Sequence, residues 1–265
     1  MSHTQPQILI EVCVDSVESA LNAVRGGADR LELCSNLGLG GGTTPSIGLL
    51  RAVQSKMPNV PIMAMVRPRT GDFVYTKNEV DIMLEDIKAF KDAGVQGVVF
   101  GILTTDGRVD CERTKRLVEA TAPLQGVAFD MAKDPYQAFR DVASIPGITR
   151  ILTSGHKTSV VDALDVVRKL VQFSRDESGP SILPGSGINA QTVEKVLHEL
   201  TPSEVHMSGG GWVDAEMEFK RDGMGMGVGG ERDWSIWRTS EAAVRNVRNI
   251  VDGYSLQSYN SDKRD

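Results

Sequence analysis

The sequence predicts a single domain with the TIM (β/α)8 barrel fold and a shortened fifth strand. Eight short apolar segments alternate with segments of helical periodicity over roughly 200 residues. Their even spacing and their number favour a closed barrel over a doubly wound open sheet. A chain of 265 residues with 40% hydrophobic content is long enough to build one core of that size.

The first strand, at residues 8–15, is a β-branched apolar run of the kind that parallel sheets bury on both faces. Period-two alternation places Glu11 and Cys13 on one face of it. The second strand repeats this spacing with Glu32 and Cys34. Because a buried carboxylate is costly unless it faces a site, the two neighbouring strands are predicted to present the same pair of groups.

The remaining elements follow in regular alternation. Ser46 after Pro45 predicts a helix start, and so does Asp134 followed by Pro135. The later strands are predicted at 61–66, 97–101, 126–130, 149–153, 181–184 and 204–208. The later helices are predicted at 46–56, 76–93, 110–121, 160–173 and 189–200, and one more begins at 134.

The C-terminal part of the chain departs from this alternation. Residues 209–230 are rich in glycine and are expected to form a long loop, which in a compact domain is usually functional or mobile. A closing helix is predicted at 240–252. We expect one barrel domain at 8–253 between polar tails at 1–7 and 254–265.

The composition argues against several classes of partner. A net charge of -6 and an aromatic content of 5% leave no basic stripe for nucleic acid. No apolar run approaches the roughly 18 residues of a membrane span. The N-terminal residues lack the apolar core of a signal peptide, so a cytoplasmic location is expected. Three cysteines do not form a disulfide framework.

Groups at the carboxyl ends of the strands predict an anion site. The loops after strands seven and eight occupy the usual phosphate-binding corner of such barrels. An arginine pair after strand three suits a carboxylate or phosphate, although a structural ion pair with Asp72 or Glu11 explains it equally well. The predicted anion-binding residues are Arg67, Arg69, Ser154, Gly185, Ser186, Gly187, Ser208 and Gly209.

Acid–base chemistry is a further prediction for this end of the barrel. Two nearby carboxylates can push one pKa up and so divide the roles of acid and base. A histidine in strand eight is equally consistent with a hydrogen-bonded core residue. The candidate catalytic residues are Glu11, Glu32, Arg67 and His206.

A soft-metal site is the competing prediction. Thiolates select Cu(I), and two sulfurs suffice for linear coordination by Cys13 and Cys34. The spacing of these cysteines gives the interpretation little weight by itself, because the chain contains no Cys-x-x-Cys motif.

Several longer motifs, spread between residues 8 and 249, carry a resemblance to a known family. They are Glu11–Asp15, Arg30–Cys34, Gly41–Pro45, Arg67–Phe73, Leu152–Gly155, Pro184–Gly187 and Val205–His206. In these motifs the chain resembles the CutC copper homeostasis family, whose members are TIM barrels linked to intracellular copper handling and have no established reaction. The resemblance implies Cu(I) binding at Cys13 and Cys34.

One segment departs from the family pattern. The family carries Thr-Phe-His-Arg before Ala-Phe-Asp in the fifth strand, whereas here Gly126 and Val127 lead directly into Ala128. Four fewer residues shorten a strand by about 13 Å, so the barrel must draw in Leu124 and Gln125 or be locally broken. Residues 208–211 also replace the family's Ser-Ala-Arg. An enzymatic role that needs the missing His or Arg is therefore weakened.

Two functions remain open from the sequence. The first is copper homeostasis through intracellular Cu(I) handling, and the alternative is an enzyme for a phosphorylated or carboxylated metabolite. The expected partners are accordingly a copper ion, a small anionic metabolite and further copies of the chain in a homo-oligomer. A degenerate scaffold kept for oligomer contacts is a third reading.

Overall fold

Eight strands alternating with helices form the body of the protein in the computed structural model, which describes residues 7–121, 127–128 and 130–262. Pairing within each barrel sheet is parallel, as βαβ connections require. The predicted fold class is confirmed. The barrel strands are β1 Leu9–Val14, β2 Arg30–Leu33, β3 Ile62–Met65, β4 Gly97–Val99, β5 Val127–Ala128, β6 Arg150–Thr153, β7 Ser181–Pro184 and β8 Glu204–Met207.

The helices begin where the sequence supplies caps. Ser46 accepts a hydrogen bond from the backbone of Leu49, and Thr76 forms a capping box with Glu79. Asp134 caps the helix that opens with a proline at its first position. The helices are α1 Val17–Arg25, α2 Leu37–Gly40, α3 Ile47–Lys56, α4 Lys77–Asp92, α5 Cys111–Thr121, α6 Pro135–Ala143, α7 Leu164–Asp176, α8 Val193–Leu200 and α9 Glu241–Asp262.

Backbone hydrogen bonds divide the described strands into two groups. One sheet has the order β4-β3-β2-β1-β8, and the other has the order β5-β6-β7. In the described ranges no ladder joins β4 to β5 or β7 to β8. The described part of strand β5, Val127–Ala128, pairs with Ile151 and Leu152 of β6, and the predicted shortening concerns flanking residues outside the described ranges. The expected contribution of Leu124 and Gln125 lies outside the described residues.

The apolar core lies between the strands and the helices. Ile10, Val12 and Val14 alternate along β1, are fully buried, and pack with the buried alanines of α1. Each such aliphatic side chain contributes roughly 1.5–3 kcal/mol when it leaves water. The opposite face of β1 carries Glu11 and Cys13, so the barrel interior is the polar side.

An antiparallel hairpin follows the barrel, where the sequence predicted a loop at 209–230. It consists of β9 Gly210–Asp214 and β10 Ser235–Thr239, and it pairs Trp212 with Trp237. The two rings lie 5.5 Å apart in an edge-to-face arrangement that stabilises the pair. The loop prediction was therefore wrong for residues 210–214, since the glycines of this segment conceal the strand.

The last helix also differs from its prediction. Helix α9 continues to Asp262, beyond the expected end at residue 252. None of the helices in the described ranges combines the length and the apolar character that crossing a bilayer requires.

Candidate metal and ligand site

The register of the first two strands decides which predicted residues meet. Glu11 lies opposite Arg30, and Cys13 lies opposite Glu32. Cys34 is therefore placed two residues farther along, just past the end of β2. The two Glu-x-Cys pairs share a face as predicted, but the second pair is shifted by two residues along its strand, so that Cys13 lies beside Glu32. The sequence period determines which face a side chain occupies and does not determine the register between strands.

Three residues from adjacent strands form a compact cluster. The ligand atoms of Cys13, Glu32 and His206 all lie within 4.8 Å of one another, and all three side chains are buried. His206 Nε2 is 2.9 Å from Glu32 Oε2. The other oxygen, Oε1 of Glu32, is buried and has no hydrogen-bond partner among the described residues. We call these three residues the cysteine–glutamate–histidine cluster.

The residues of this cluster change one another's pKa values. Burial by itself would lower the pKa of His206, but the Glu32 carboxylate and the hydrogen bond to Cys13 raise it well above its ordinary value. Burial raises the pKa of the Cys13 thiol, and the hydrogen bond to His206 opposes that rise. The cluster therefore favours a charged imidazole beside a neutral thiol when no ligand is bound.

An ion-pair network lies below the cluster. Arg30 contacts the carboxylate of Glu11 and donates to Glu204 at 2.7 Å. Arg150 donates to Glu204 as well, at 2.9 Å. Burial nevertheless raises the pKa of Glu11, against the charges of His206 and Arg30. Glu11 is thus engaged by an arginine and does not line the cavity described next.

A cavity of about 800 Å³ opens above the cluster at the carboxyl ends of the strands. This is the face on which TIM barrels hold their ligands. Nine predicted site residues line it, namely Cys13, Glu32, Arg67, Gly185, Ser186, Gly187, His206, Ser208 and Gly209. The two glycine loops that were predicted to bind an anion therefore face the same space as the cluster.

Cys34 is placed behind the cavity wall. Its side chain is fully buried, and its thiol donates to the backbone carbonyl of Glu32 at 3.8 Å. Gly42 packs closely against it, since a Cβ at that position would lie 3.1 Å from the Cys34 sulfur. Burial raises the pKa of the Cys34 thiol well above its ordinary value, and the negative charge of Glu32 adds to the rise.

The two arginines that follow β3 bind neighbouring groups of the protein. Arg67 lines the cavity, but its guanidinium donates to the carbonyls of Gly40, Gly42 and Gly71 at 2.6, 3.0 and 3.0 Å. Arg69 is partly exposed and forms ion pairs with Asp72 and Glu79. The structural ion pair with Asp72, weighed against an anion role in the sequence, is present.

Two further positions, one predicted and one not, can be placed. Ser154 lies off the cavity and donates its backbone N–H to Asp130 at 2.7 Å. Trp237 lines the cavity from the hairpin and was missed by the sequence reasoning. The alternation of residues 235–239 was the signal that could have revealed it.

Comparison with known proteins decides the family. The model of the CutC family matches residues 8–211, which is well over half of the chain. The chain belongs to the CutC family. The resemblance noted in the sequence is thereby confirmed.

Relatives of this CutC protein match nearly all of it. The mouse copper homeostasis protein cutC homolog is 39% identical over 247 residues, which span 92% of this chain and 89% of the relative. A CutC protein of Vibrio vulnificus strain CMCP6 is 41% identical over 243 residues, which span 90% and 95%.

Solved structures support the same fold. The CutC protein of Streptococcus agalactiae aligns with a TM-score of 0.70 and 28% identity, covering 76% of this chain and 98% of the other. Phosphoribosyl anthranilate isomerase of Thermotoga maritima aligns with a TM-score of 0.55 and 14% identity, covering 93% and 99%. The second likeness concerns the barrel fold alone.

Proposed function

We propose that this CutC family member acts in copper homeostasis by binding Cu(I) through Cys13 and Cys34. The mouse relative carries copper homeostasis in its name. Thiolates are the ligands that select Cu(I), and two of them complete a linear site. The single observation that carries the proposal is the position of the Cys13 thiol, which lies on the cavity floor one diagonal step from Cys34.

Because Cys34 lies diagonally across from Cys13, its side chain must turn before both thiols can bind one ion. The Cys34 thiol makes one weak hydrogen bond, to a backbone carbonyl, so turning its side chain towards Cys13 sacrifices little hydrogen bonding. The ion would enter through the cavity and reach Cys13 first. All three cysteines are free, which suits the reducing cytoplasm that we propose as the setting.

The test is a Cu(I) titration against a colorimetric chelator. We expect one Cu(I) per chain in the wild type and its loss in the Cys13→Ser, Cys34→Ser double variant. Cys111→Ser is the matched control, since this third cysteine lies on α5, outside the cavity wall. Equal binding by the wild type and the double variant would reject the proposal.

A second candidate function is supported by the cavity itself. Its volume lies in the range of small-molecule pockets, and it joins two glycine loops to a buried carboxylate with an unpartnered oxygen. We propose a small phosphorylated or carboxylated molecule as the ligand, with Glu32 and His206 as the acid–base pair. A thermal-shift screen of such metabolites tests it. A shift in the wild type that disappears in Glu32→Gln supports the candidate, and no shift with any metabolite counts against it.

A further inference from the structure

We infer that Cys13, Glu32 and His206 form a three-ligand site for a divalent cation of the zinc type, with a fourth coordination position open to the cavity. This site goes beyond the proposed Cu(I) function. It shares Cys13 with the copper pair, but it uses a carboxylate and an imidazole in place of the second thiol. Its ligands come from three neighbouring, hydrogen-bonded strands.

The donor set matches a borderline cation better than a soft one. Sulfur, imidazole nitrogen and carboxylate oxygen are the three ligand types that Zn²⁺ uses in proteins. Thiolate and carboxylate supply two negative charges, which a divalent ion neutralises and Cu(I) does not. Carboxylate oxygen is, moreover, a poor ligand for Cu(I).

The distances fit a tetrahedral ion after small side-chain shifts. Bonds of 2.0–2.3 Å separate tetrahedral ligand atoms by about 3.3–3.8 Å. The cluster atoms lie within 4.8 Å of one another, so the longer separations must contract, while Glu32 Oε2 and His206 Nε2, now 2.9 Å apart, must separate slightly. Shifts of about 1 Å are within reach of side-chain rotation, while the paired strands keep the backbone in place.

A second, independent observation points into the site. Oε1 of Glu32 is buried, lacks a partner among the described residues, and belongs to a side chain that lines the cavity. Leaving such an acceptor unsatisfied is costly, so native proteins seldom keep one without a reason. A cation bound by the cluster would satisfy this oxygen directly.

The surroundings leave one direction open. Below the cluster, Arg30 engages one oxygen of Glu11, whose other oxygen lies 3.8 Å from His206 Nε2, and two arginines engage Glu204. Above it lies the cavity, with the loops of β7 and β8 at its rim. Three protein ligands with an open fourth position are typical of zinc sites that hold a water or a ligand oxygen. A phosphate or carboxylate oxygen of a small molecule would suit that position.

Cobalt(II) is the probe for the test, because its visible and near-ultraviolet bands report tetrahedral geometry and sulfur ligation. We expect one Co²⁺ per wild-type chain, displaced by Zn²⁺. His206→Gln and Glu32→Gln should weaken Co²⁺ binding by at least about 100-fold. His198→Gln on the surface of α8 is the matched control and should bind like the wild type.

Parallel Cu(I) titrations separate this site from the copper proposal. Cys34→Ser should lose Cu(I) and keep the cobalt spectrum, whereas His206→Gln should keep Cu(I) and lose the spectrum. Urea unfolding of each variant confirms that it is folded. A wild-type protein that binds no Co²⁺, or a His206→Gln protein with an unchanged spectrum, would overturn the inference, whatever the Cu(I) result.

Discussion

Arg30 on β2 and Glu204 on β8 form an ion pair of 2.7 Å that passes across the strand between them. That strand, β1, adds a second carboxylate, Glu11, to the same guanidinium. All three side chains are buried. One arginine therefore links three adjacent strands below the cluster.

We expect Arg30→Met to lower the free energy of unfolding by about 3–5 kcal/mol, because it leaves the buried Glu11 carboxylate without its arginine, whereas Glu204 keeps Arg150. Urea unfolding measures the change. Arg168→Met is the control, since Arg168 pairs with Glu199 at the surface and exposed pairs contribute about 1 kcal/mol or less. Similar losses in the two variants would show that the buried network is not important for stability.

The glycine after β7 gives a second prediction. A Cβ on Gly185 would lie 2.6 Å from Leu152 Cδ1 and 3.3 Å from His206 Nδ1. We expect Gly185→Ala to cost about 1–3 kcal/mol of unfolding free energy and to disturb the His206 ring. Gly211→Ala is matched to it, because Gly211 also lines the cavity and a Cβ there meets no atom of the described chain within 4 Å. Equal stability of the two alanine variants would contradict the expected clash.

The raised pKa of His206 predicts that the stability of the metal-free protein depends on pH. The pKa of His206 is raised in the folded state, mainly by Glu32 acting against burial, so its charged form stabilises the fold. That stabilisation is fully present below the unfolded pKa of about 6.5 and is lost as the pH rises through the higher folded pKa.

The measurement is urea unfolding of the wild type and His206→Gln from pH 6 upward, with a chelator present. The stability advantage of the wild type should shrink with pH, at up to about 1.4 kcal/mol per pH unit. His198→Gln should show the wild-type slope. A difference between wild type and His206→Gln that does not change with pH would refute the assignment.

The hydrogen bonds of Asp130 give a further prediction, which concerns the connection between β5 and β6. Its carboxylate accepts hydrogen bonds from the Thr153 hydroxyl and the Ser154 backbone, so it links the chain two residues after β5 to the end of β6. We expect Asp130→Ala to lower the unfolding free energy by about 1–3 kcal/mol. Asp106→Ala, which removes a local bond in an exposed turn, should cost less. The tie is unnecessary if both variants unfold at the same urea concentration.

Local signals were the predictable part of this fold. Ser46 and Asp134 mark helix starts because a cap acts within four residues, and the helices begin where these residues indicate. The alternation along β1 likewise gives the correct inward face for Glu11 and Cys13. Both properties depend only on neighbours in sequence.

Relationships between distant segments could not be predicted in the same way. The offset of Cys34 from Cys13 depends on the stagger between strands, which no residue of either strand encodes alone. The ion pair between Arg69 and Glu79 depends on where α4 begins relative to β3. Trp237 reaches the cavity only because β10 folds back on β9 across the segment 215–234 that joins them.

The division of the strands into a group of five and a group of three has a mechanical consequence. Gly185 and His206 face each other across the junction of β7 and β8, where the described chain has no backbone ladder. Side chains therefore hold the two groups together at this junction in place of backbone hydrogen bonds. Among them is the buried Glu204 carboxylate, which accepts hydrogen bonds from Arg150 on β6 and Ser181 on β7.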